Sequence, residues 1–407
     1  MAQSQPSIVM LTTDRQIDRR ILLQADSLEA AGWMVTIIAM PWDTKIDDDP
    51  RVIRIDSAII HAKKENFVLA VYQWVRRYLP MNSPLMRWIK RQAWCYLVDQ
   101  ESFYTKLFYN TASRYSPHVF VAHDLPILPL AKQVADRCGA RLVYDSHELY
   151  SEQALSEREK RRWAQIEAKY IGACDVVITV NLSIAMELER RYGIHGVKII
   201  YNAERSCNAP IKTGSFHKMF NLSTDKKILL FQGGLSAGRN LEVLVDAMQY
   251  IQNASVVLII LGDGLSLKTL HAKTRSKALI QKVFFHPAVA QKDLLALTAQ
   301  ADAGVIPYQA TCLNNHLCTP NKLFEFIAAG LPILASDLPE IRKIVEGQSI
   351  GLVGDTSTST RLASLMNAFF SDKQRFACWE ANLTMVRKTI CWEAEEKKLL
   401  DIYRALA

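Results

Sequence analysis

No stretch of this 407-residue chain reaches the roughly 18 uninterrupted apolar residues that a membrane-spanning helix needs. Residues 1–11 lack the basic start and sustained apolar run of a secretory leader, so the expectation is a cytoplasmic protein. The eight cysteines (Cys95, Cys138, Cys174, Cys207, Cys312, Cys318, Cys378 and Cys391) include no CxxC pair, which fits reduced, mostly structural thiols. Charge of one sign is also scarce. A net +8 is modest for this length, and nucleic acid is not an expected partner. With 49% hydrophobic and 22% charged residues there is no compositional sign of disorder, and the length suits two domains.

The modest positive charge is unevenly spread. Residues 61–115 hold nine Lys/Arg against three Asp/Glu, interleaved with aromatics such as Trp74, Trp88 and Trp94. Basic residues beside aromatics suit an anionic membrane surface, and peripheral attachment there is one reading. Amphipathic helices with aromatic cores and solvated charges are the other.

Hydrophobic periodicity gives a strand at 7–11, a helix at 17–31 and a strand at 34–38, and such units recur through strands at 118–122, 141–144 and 176–180. Around 201–225 the pattern lapses, with several Asn, Gly and Pro. A second series opens at 227–231 and continues through strands at 256–261, 283–285, 303–306 and 332–335. The expected domains are 1–203, a linker at 204–225, a second domain at 226–390, and a final helix at 391–407 that crosses back to the first. The fold class is α/β, with two Rossmann-like domains in tandem and a cleft between them.

Four motifs carry chemistry. The turn from Phe231 through Gly233, Gly234 and Gly238 to Arg239 and Asn240 follows a strand and precedes a helix, which suits a phosphate; tight packing explains such glycines equally. Gly262-Asp263-Gly264 is a second glycine turn after a strand, with an ordinary connecting loop as its alternative. The run Pro320-Asn321-Lys322-Leu323-Phe324-Glu325 opens a helix that Gly330 can close. It sets Lys322 and Glu325 one turn apart, as a nucleotide clamp or as a surface pair. His123-Asp124 and Asp145-Ser146-His147-Glu148 each set a histidine beside a carboxylate at a strand's carboxyl end. His123, Asp124, His147 and Glu148 are also competent zinc ligands, but no helical HExxH spacing fixes them.

In this order, these motifs resemble family 4 of the retaining, GT-B-fold glycosyltransferases, many of which build bacterial surface polysaccharides and glycolipids. The likeness covers nearly the whole chain, from Asp18-Arg19-Arg20 through Tyr201-Asn202 to Pro332. It implies transfer of a sugar, with retention, from a UDP- or GDP-linked donor to a glycan or lipid-linked acceptor, with no cofactor and no metal. Asp47-Asp48-Asp49 is therefore read as a solvated acidic turn. By resemblance, His123 approaches the donor sugar, Arg239 and Lys322 carry the diphosphate, and Glu325, the second glutamate of an E-x7-E motif, binds the ribose. Gly233, Gly234, Gly262, Asp263, Gly264, Asn321 and Leu323 complete the expected donor site. Asp124, His147, Glu148, Asn315 and His316 are candidate sugar or acceptor contacts. Two positions depart from the pattern: Leu317 stands where the first glutamate is expected, and Gly234 where many members carry a second arginine. A nucleotide-sugar epimerase or hydrolase of the same fold, and a non-catalytic nucleotide-sugar-binding scaffold, are the alternative functions.

Overall fold

The computed structural model describes residues 5–42, 49–56, 86, 98–205, 211–276 and 278–406. The chain divides into two compact units: Met1–Thr179 with Ala185–Ile199 and Leu399–Ala407, and Val180–Ile184 with Ile200–Lys398.

In the first unit β1 (Ser7–Thr12), β2 (Met34–Ala39), β3 (Val52–Arg54), β4 (Val119–His123), β5 (Arg141–Ser146), β6 (Val176–Thr179) and β7 (Lys198–Ile199) form one parallel sheet, ordered β3-β2-β1-β4-β5-β6-β7. In the second, β8 (Lys227–Gln232), β9 (Val256–Leu261), β10 (Val283–His286), β11 (Ala303–Ile306), β12 (Ile333–Ser336) and β13 (Gly351–Gly354) form another, ordered β10-β9-β8-β11-β12-β13. Parallel sheets are covered on both faces, so their strands carry unbroken apolar runs. β9, Val-Val-Leu-Ile-Ile-Leu, is buried at every position. Each strand order reverses once, between β1 and β4 and between β8 and β11. At such switch points the carboxyl ends of the strands leave a crevice for a ligand.

Local chemistry sets the helices that matter for the site. Asp18 caps the helix Arg19–Ala30 by accepting from the Arg20 N–H, which leaves Arg20 and Gln24 one turn apart on the same face. The helix Asn321–Ala329 starts after Pro320 and ends at Gly330, whose φ of 74° allows the left-handed cap. Every residue from Lys322 to Ala329 is buried. A helix hidden all round cannot carry a solvated ion pair, so the surface-pair reading of Lys322 and Glu325 is excluded.

Several boundaries differ from the sequence reading. β4 extends to His123, making it the last strand residue, because β4 pairs with β1 through Thr12 and His123. β3, β7 and β13 were not anticipated; two to four residues show no period. Much of the stretch read as a linker at 204–225 belongs to the second unit: Phe216, on the short helix Ser215–Met219, is fully buried in its core. The last helix, Trp392–Arg404, is shared between the units, with Leu399 onward in the first. There Tyr403 packs edge-on against Trp33, ring centroids 6.0 Å apart.

Most of the basic, aromatic segment read as a membrane surface lies outside the described residues, as do Asp47 and Asp48. Asp49 is bound by the Arg51 guanidinium. Among the described residues no helix is long and apolar enough to cross a membrane.

Candidate active site

At the switch point of the second unit, β8 ends at the buried Gln232 and turns at Gly233, with φ 108°. A Cβ on Gly233 would lie 3.5 Å from Lys322 Nζ, an ordinary contact, so the ammonium sits beside the turn. Lys322 is 6% exposed. Its Nζ donates to the Tyr308 hydroxyl at 2.7 Å and sits 4.3 Å from the Phe231 ring centroid. Arg239 places its guanidinium 4.2 Å from the Tyr308 centroid, and Lys322 Nζ lies 4.6 Å from the same point. Two cationic side chains thus share one ring beside an exposed glycine turn, an arrangement whose chemistry suits an anion and whose parts are far apart in sequence. Burial, and then the charge of Arg239, lower the Lys322 ammonium to about 7. Tyr308 is pushed above its ordinary value by burial and stays a neutral phenol.

One turn along from Lys322, Glu325 is 7% exposed and accepts from Gln232 Nε2 at 2.5 Å. Asn321 Oδ1 accepts from Asn202 Nδ2 at 3.0 Å, tying the start of this helix to the Tyr201-Asn202 pair. Leu323 is fully buried in the hydrophobic core, which leaves only its backbone for a ligand.

The two glycine turns are packed against each other. Leu235 N–H donates to the Asp263 carbonyl, and Gly233 N–H to that of Leu261. A Cβ on Gly262 would lie 2.0 Å from the Gly233 carbonyl oxygen, and one on Gly264 2.4 Å from that of Leu235. Gly262 and Gly264 thus serve loop-on-loop packing. Asp263 is exposed, its Oδ1 accepting from the Gly264 N–H. Gly234 is exposed, and a Cβ there would meet nothing within 4 Å. The helix after Arg239, Leu241–Ala247, has only seven residues and begins at Asn240 in the left-handed region.

Asn315 and His316 lie on the short helix Leu313–Leu317. Asn315 Nδ2 donates to Thr311 Oγ1, and the His316 N–H to the Cys312 carbonyl. The Leu317 carbonyl accepts from the fully buried Asn181 at 2.8 Å, and Asn181 belongs to the second unit with it.

In the first unit the paired strands β4 and β5 bring His123 opposite Asp145. Arg20 clamps Asp145 through Nη2 at 2.8 Å and Nε at 3.0 Å, and Gln24 Nε2 adds a third donor at 2.7 Å. His123 Nδ1 and His147 Nε2 each lie 3.3 Å from Asp145 Oδ2 and 3.2 Å from one another. Burial would raise Asp145, yet Arg20 and then His147 hold it well below the usual carboxylate range. Burial would lower His147, but the carboxylates of Asp124 and Asp145 outweigh it and raise it to about 10. Burial lowers His123, which stays neutral, and its buried Nε2 has no hydrogen-bond partner among the described residues. Asp124, with φ 66°, accepts from the His147 N–H at 2.9 Å. Glu148 accepts from Gln153. His123, Asp145 and His147 bring possible ligand atoms within 4.8 Å of one another. Arg20 and Gln24 already place three donors on the Asp145 oxygens, however, and a cation there would meet a fixed guanidinium. The four residues weighed for zinc therefore do not converge as a set: Asp145 takes the central place, and Glu148 turns to Gln153.

The structure thus gathers Gly233, Arg239, Lys322 and Glu325 at one switch point, and His123, Asp124 and His147 around Asp145 at the other. Sequence reasoning missed Gln232, Tyr308 and Asn181. The only sequence signal for Gln232 is a polar residue closing an otherwise apolar strand.

Two Rossmann-like units, each with a polar cluster at its switch point, define the class. Residues 17–203 match the family model Glycosyltransferase Family 4, and residues 214–383 match Glycosyl transferases group 1. The chain belongs to this family 4 type of GT-B-fold glycosyltransferases. A D-inositol 3-phosphate glycosyltransferase of Xylanimonas cellulosilytica is 23% identical over 256 residues, 58% of each chain, so the match spans little more than half that relative's length. Among solved structures, a sucrose-phosphate synthase from Thermosynechococcus elongatus aligns with TM-score 0.75 and 17% identity over 98% of this chain and 99% of that one. Anabaena HepE in complex with UDP-glucose aligns with TM-score 0.69 and 16% identity over 98% and 99%. At these identities the structural likeness establishes the fold.

Proposed function

We propose that this protein transfers a hexose, with retention of configuration, from a UDP- or GDP-linked donor to a glycan or lipid-linked acceptor in bacterial-type cell-surface polysaccharide or glycolipid synthesis. The observation that carries the reading is the pair of cations, Arg239 and Lys322, on the ring of Tyr308, one helical turn from the buried Glu325. A nucleoside diphosphate needs such a set: cations for the phosphates and a carboxylate to accept from ribose hydroxyls. The family models, and the UDP-glucose in the HepE complex, support it.

In the transfer, the bond between the anomeric carbon and the diphosphate oxygen breaks as the acceptor oxygen bonds to that carbon. The acceptor proton leaves with the diphosphate. Negative charge grows on the departing oxygen, and Arg239 and Lys322 are already in place to meet it. His123, kept neutral by burial, is the histidine that the family resemblance assigns to the donor sugar. The reaction needs no cofactor and no metal. It takes place in the cytoplasm, with the 61–115 segment as a candidate contact to anionic membrane.

A thermal-shift screen against common UDP- and GDP-sugars tests donor binding, since a ligand of the folded state raises its stability. Arg239→Ala should abolish the shift and the turnover, and Glu325→Ala should reduce both. If both variants leave them at the wild-type level, the assignment is wrong. Nucleotide release from donor with no acceptor present would instead indicate a hydrolase or epimerase, and binding without turnover across an acceptor panel a scaffold.

A further inference from the structure

Glu325 sits at the end of a buried polar chain. Gln232, fully buried as the last residue of β8, donates from Nε2 to Glu325 Oε2 at 2.5 Å and accepts at Oε1 from Thr298 Oγ1 at 2.8 Å. Thr298, also fully buried, ends the helix Gln291–Thr298, and its Oγ1 lies 2.8 Å from the Leu294 carbonyl as well. A hydroxyl has one hydrogen, so only one of those two oxygens receives it. The Gln232 amide turns its NH2 towards Glu325 and its oxygen towards Thr298. That oxygen then takes the threonine hydrogen. The direction of donation runs from Thr298 through Gln232 to Glu325, and each member fixes the next.

We propose that Gln232 is a positioning residue for Glu325, and that through it the fold sets discrimination for a ribose over a deoxyribose donor, with Thr298 locking the amide. This rests on the reading of Glu325 as the ribose-binding group. A glutamate side chain has three rotatable bonds, and the oriented hydrogen bond from Gln232 at Oε2 is one of the contacts that restrain its carboxylate. With an apolar residue at 232 the carboxylate lacks that restraint in a nearly closed site, and its acceptor geometry towards a pair of vicinal hydroxyls is lost.

The test is calorimetric titration of UDP, GDP and their 2′-deoxy counterparts into wild type, Gln232→Leu, Thr298→Val and Glu325→Ala, each first checked for a native unfolding transition. Wild type should prefer the ribonucleotide by about tenfold, the value of one hydrogen bond to a charged group. In Gln232→Leu the ratio should fall to about two- to threefold, the ribonucleotide weakening more than the 2′-deoxy form, and Thr298→Val should lie between. If both forms weaken equally and the tenfold ratio survives in Gln232→Leu and Thr298→Val, the residue is merely structural and the inference is overturned. If Glu325→Ala keeps the wild-type ratio, the ribose reading of Glu325 fails, whatever Gln232 does. If neither nucleotide binds wild type, the donor site itself is misassigned and the inference falls with it.

Discussion

Arg239 and Lys322 rest against one tyrosine, with guanidinium and ammonium 4.2 and 4.6 Å from the Tyr308 ring centroid. Neither forms a salt bridge with a carboxylate among the described residues. Their mutual repulsion is therefore relieved when a dianionic diphosphate arrives. With Lys322 lowered to about 7 by burial and by Arg239, a bound diphosphate restores its charge. Binding then takes up a proton between that value and the higher one Lys322 has beside the diphosphate. Affinity for UDP or GDP should fall with rising alkalinity, by at most about tenfold per pH unit. Calorimetry at mildly alkaline pH, in two buffers of different ionisation heat, should reveal the uptake in wild type and none in Lys322→Met. A flat pH profile in wild type would count against it.

The same lysine weakens the empty protein. Its folded-state value lies below that of an exposed lysine, so between about 7 and 10.5 the unfolded chain holds more protons and stability rises with pH. Lys322→Met removes the buried charge at nearly constant volume. It should stabilise the ligand-free protein by about 1 kcal/mol at neutral pH, at the expense of nucleotide binding. Denaturant unfolding of the two proteins across that window checks both the gain and its disappearance at high pH.

Asp145 is the opposite case, a buried charge with many partners. Removing one partner of a buried pair leaves the other uncompensated, so Arg20→Met should lose about 3–5 kcal/mol. The folded-state value of Asp145 is depressed, so its contribution is present above the ordinary carboxylate range and lost as pH falls through it. For His147, raised to about 10, the sign reverses: its contribution is complete below its ordinary 6.5 and is lost as pH rises through 10. The stability gap between wild type and His147→Asn should accordingly shrink between those two values. A gap that stays constant in urea unfolding would mean that His147 is not charged in the folded protein.

The parallel order of both sheets was legible because buried parallel strands print as apolar runs separated by helical periods. His123 and Asp145 were legible as strand-end residues, since adjacent strands in a parallel sheet end together. Tyr308 and Gln232 were not, because their roles depend on which strand lies beside which. Gln232 meets Glu325 across 93 positions. Within the stretch read as a linker at 204–225, Phe216 is buried on a five-residue helix, and a single apolar residue has no period to announce it.

Gly262 and Gly264, read from the sequence as donor-site residues, lie where two loops meet backbone to backbone. Their φ values of 146° and 153° are ones side chains rarely adopt. Gly264→Ala adds a Cβ 2.4 Å from the Leu235 carbonyl oxygen, and backbone cannot swing aside as a side chain can. The expected cost is at least about 2 kcal/mol of stability. Thermal unfolding with and without nucleotide distinguishes this from a ligand contact: a normal melting curve with lost binding would restore the ligand-turn reading.

Gly234 invites the reverse experiment. It follows the turn that faces Lys322, is exposed, has an ordinary backbone conformation, and would give a new side chain open space. The family pattern that this chain resembles has an arginine there. Gly234→Arg should fold normally and add a charge-assisted contact to the diphosphate, tightening UDP or GDP binding by about tenfold at low salt. The gain should shrink as ionic strength rises, because the new charge is exposed. The bare nucleoside, which has no phosphate, should bind Gly234→Arg and wild type alike, and Gly234→Ala should match wild type throughout. An arginine that tightened nucleoside and nucleotide equally would be acting on the loop rather than on the phosphates, and would place the diphosphate somewhere other than beside Gly233, Arg239 and Lys322.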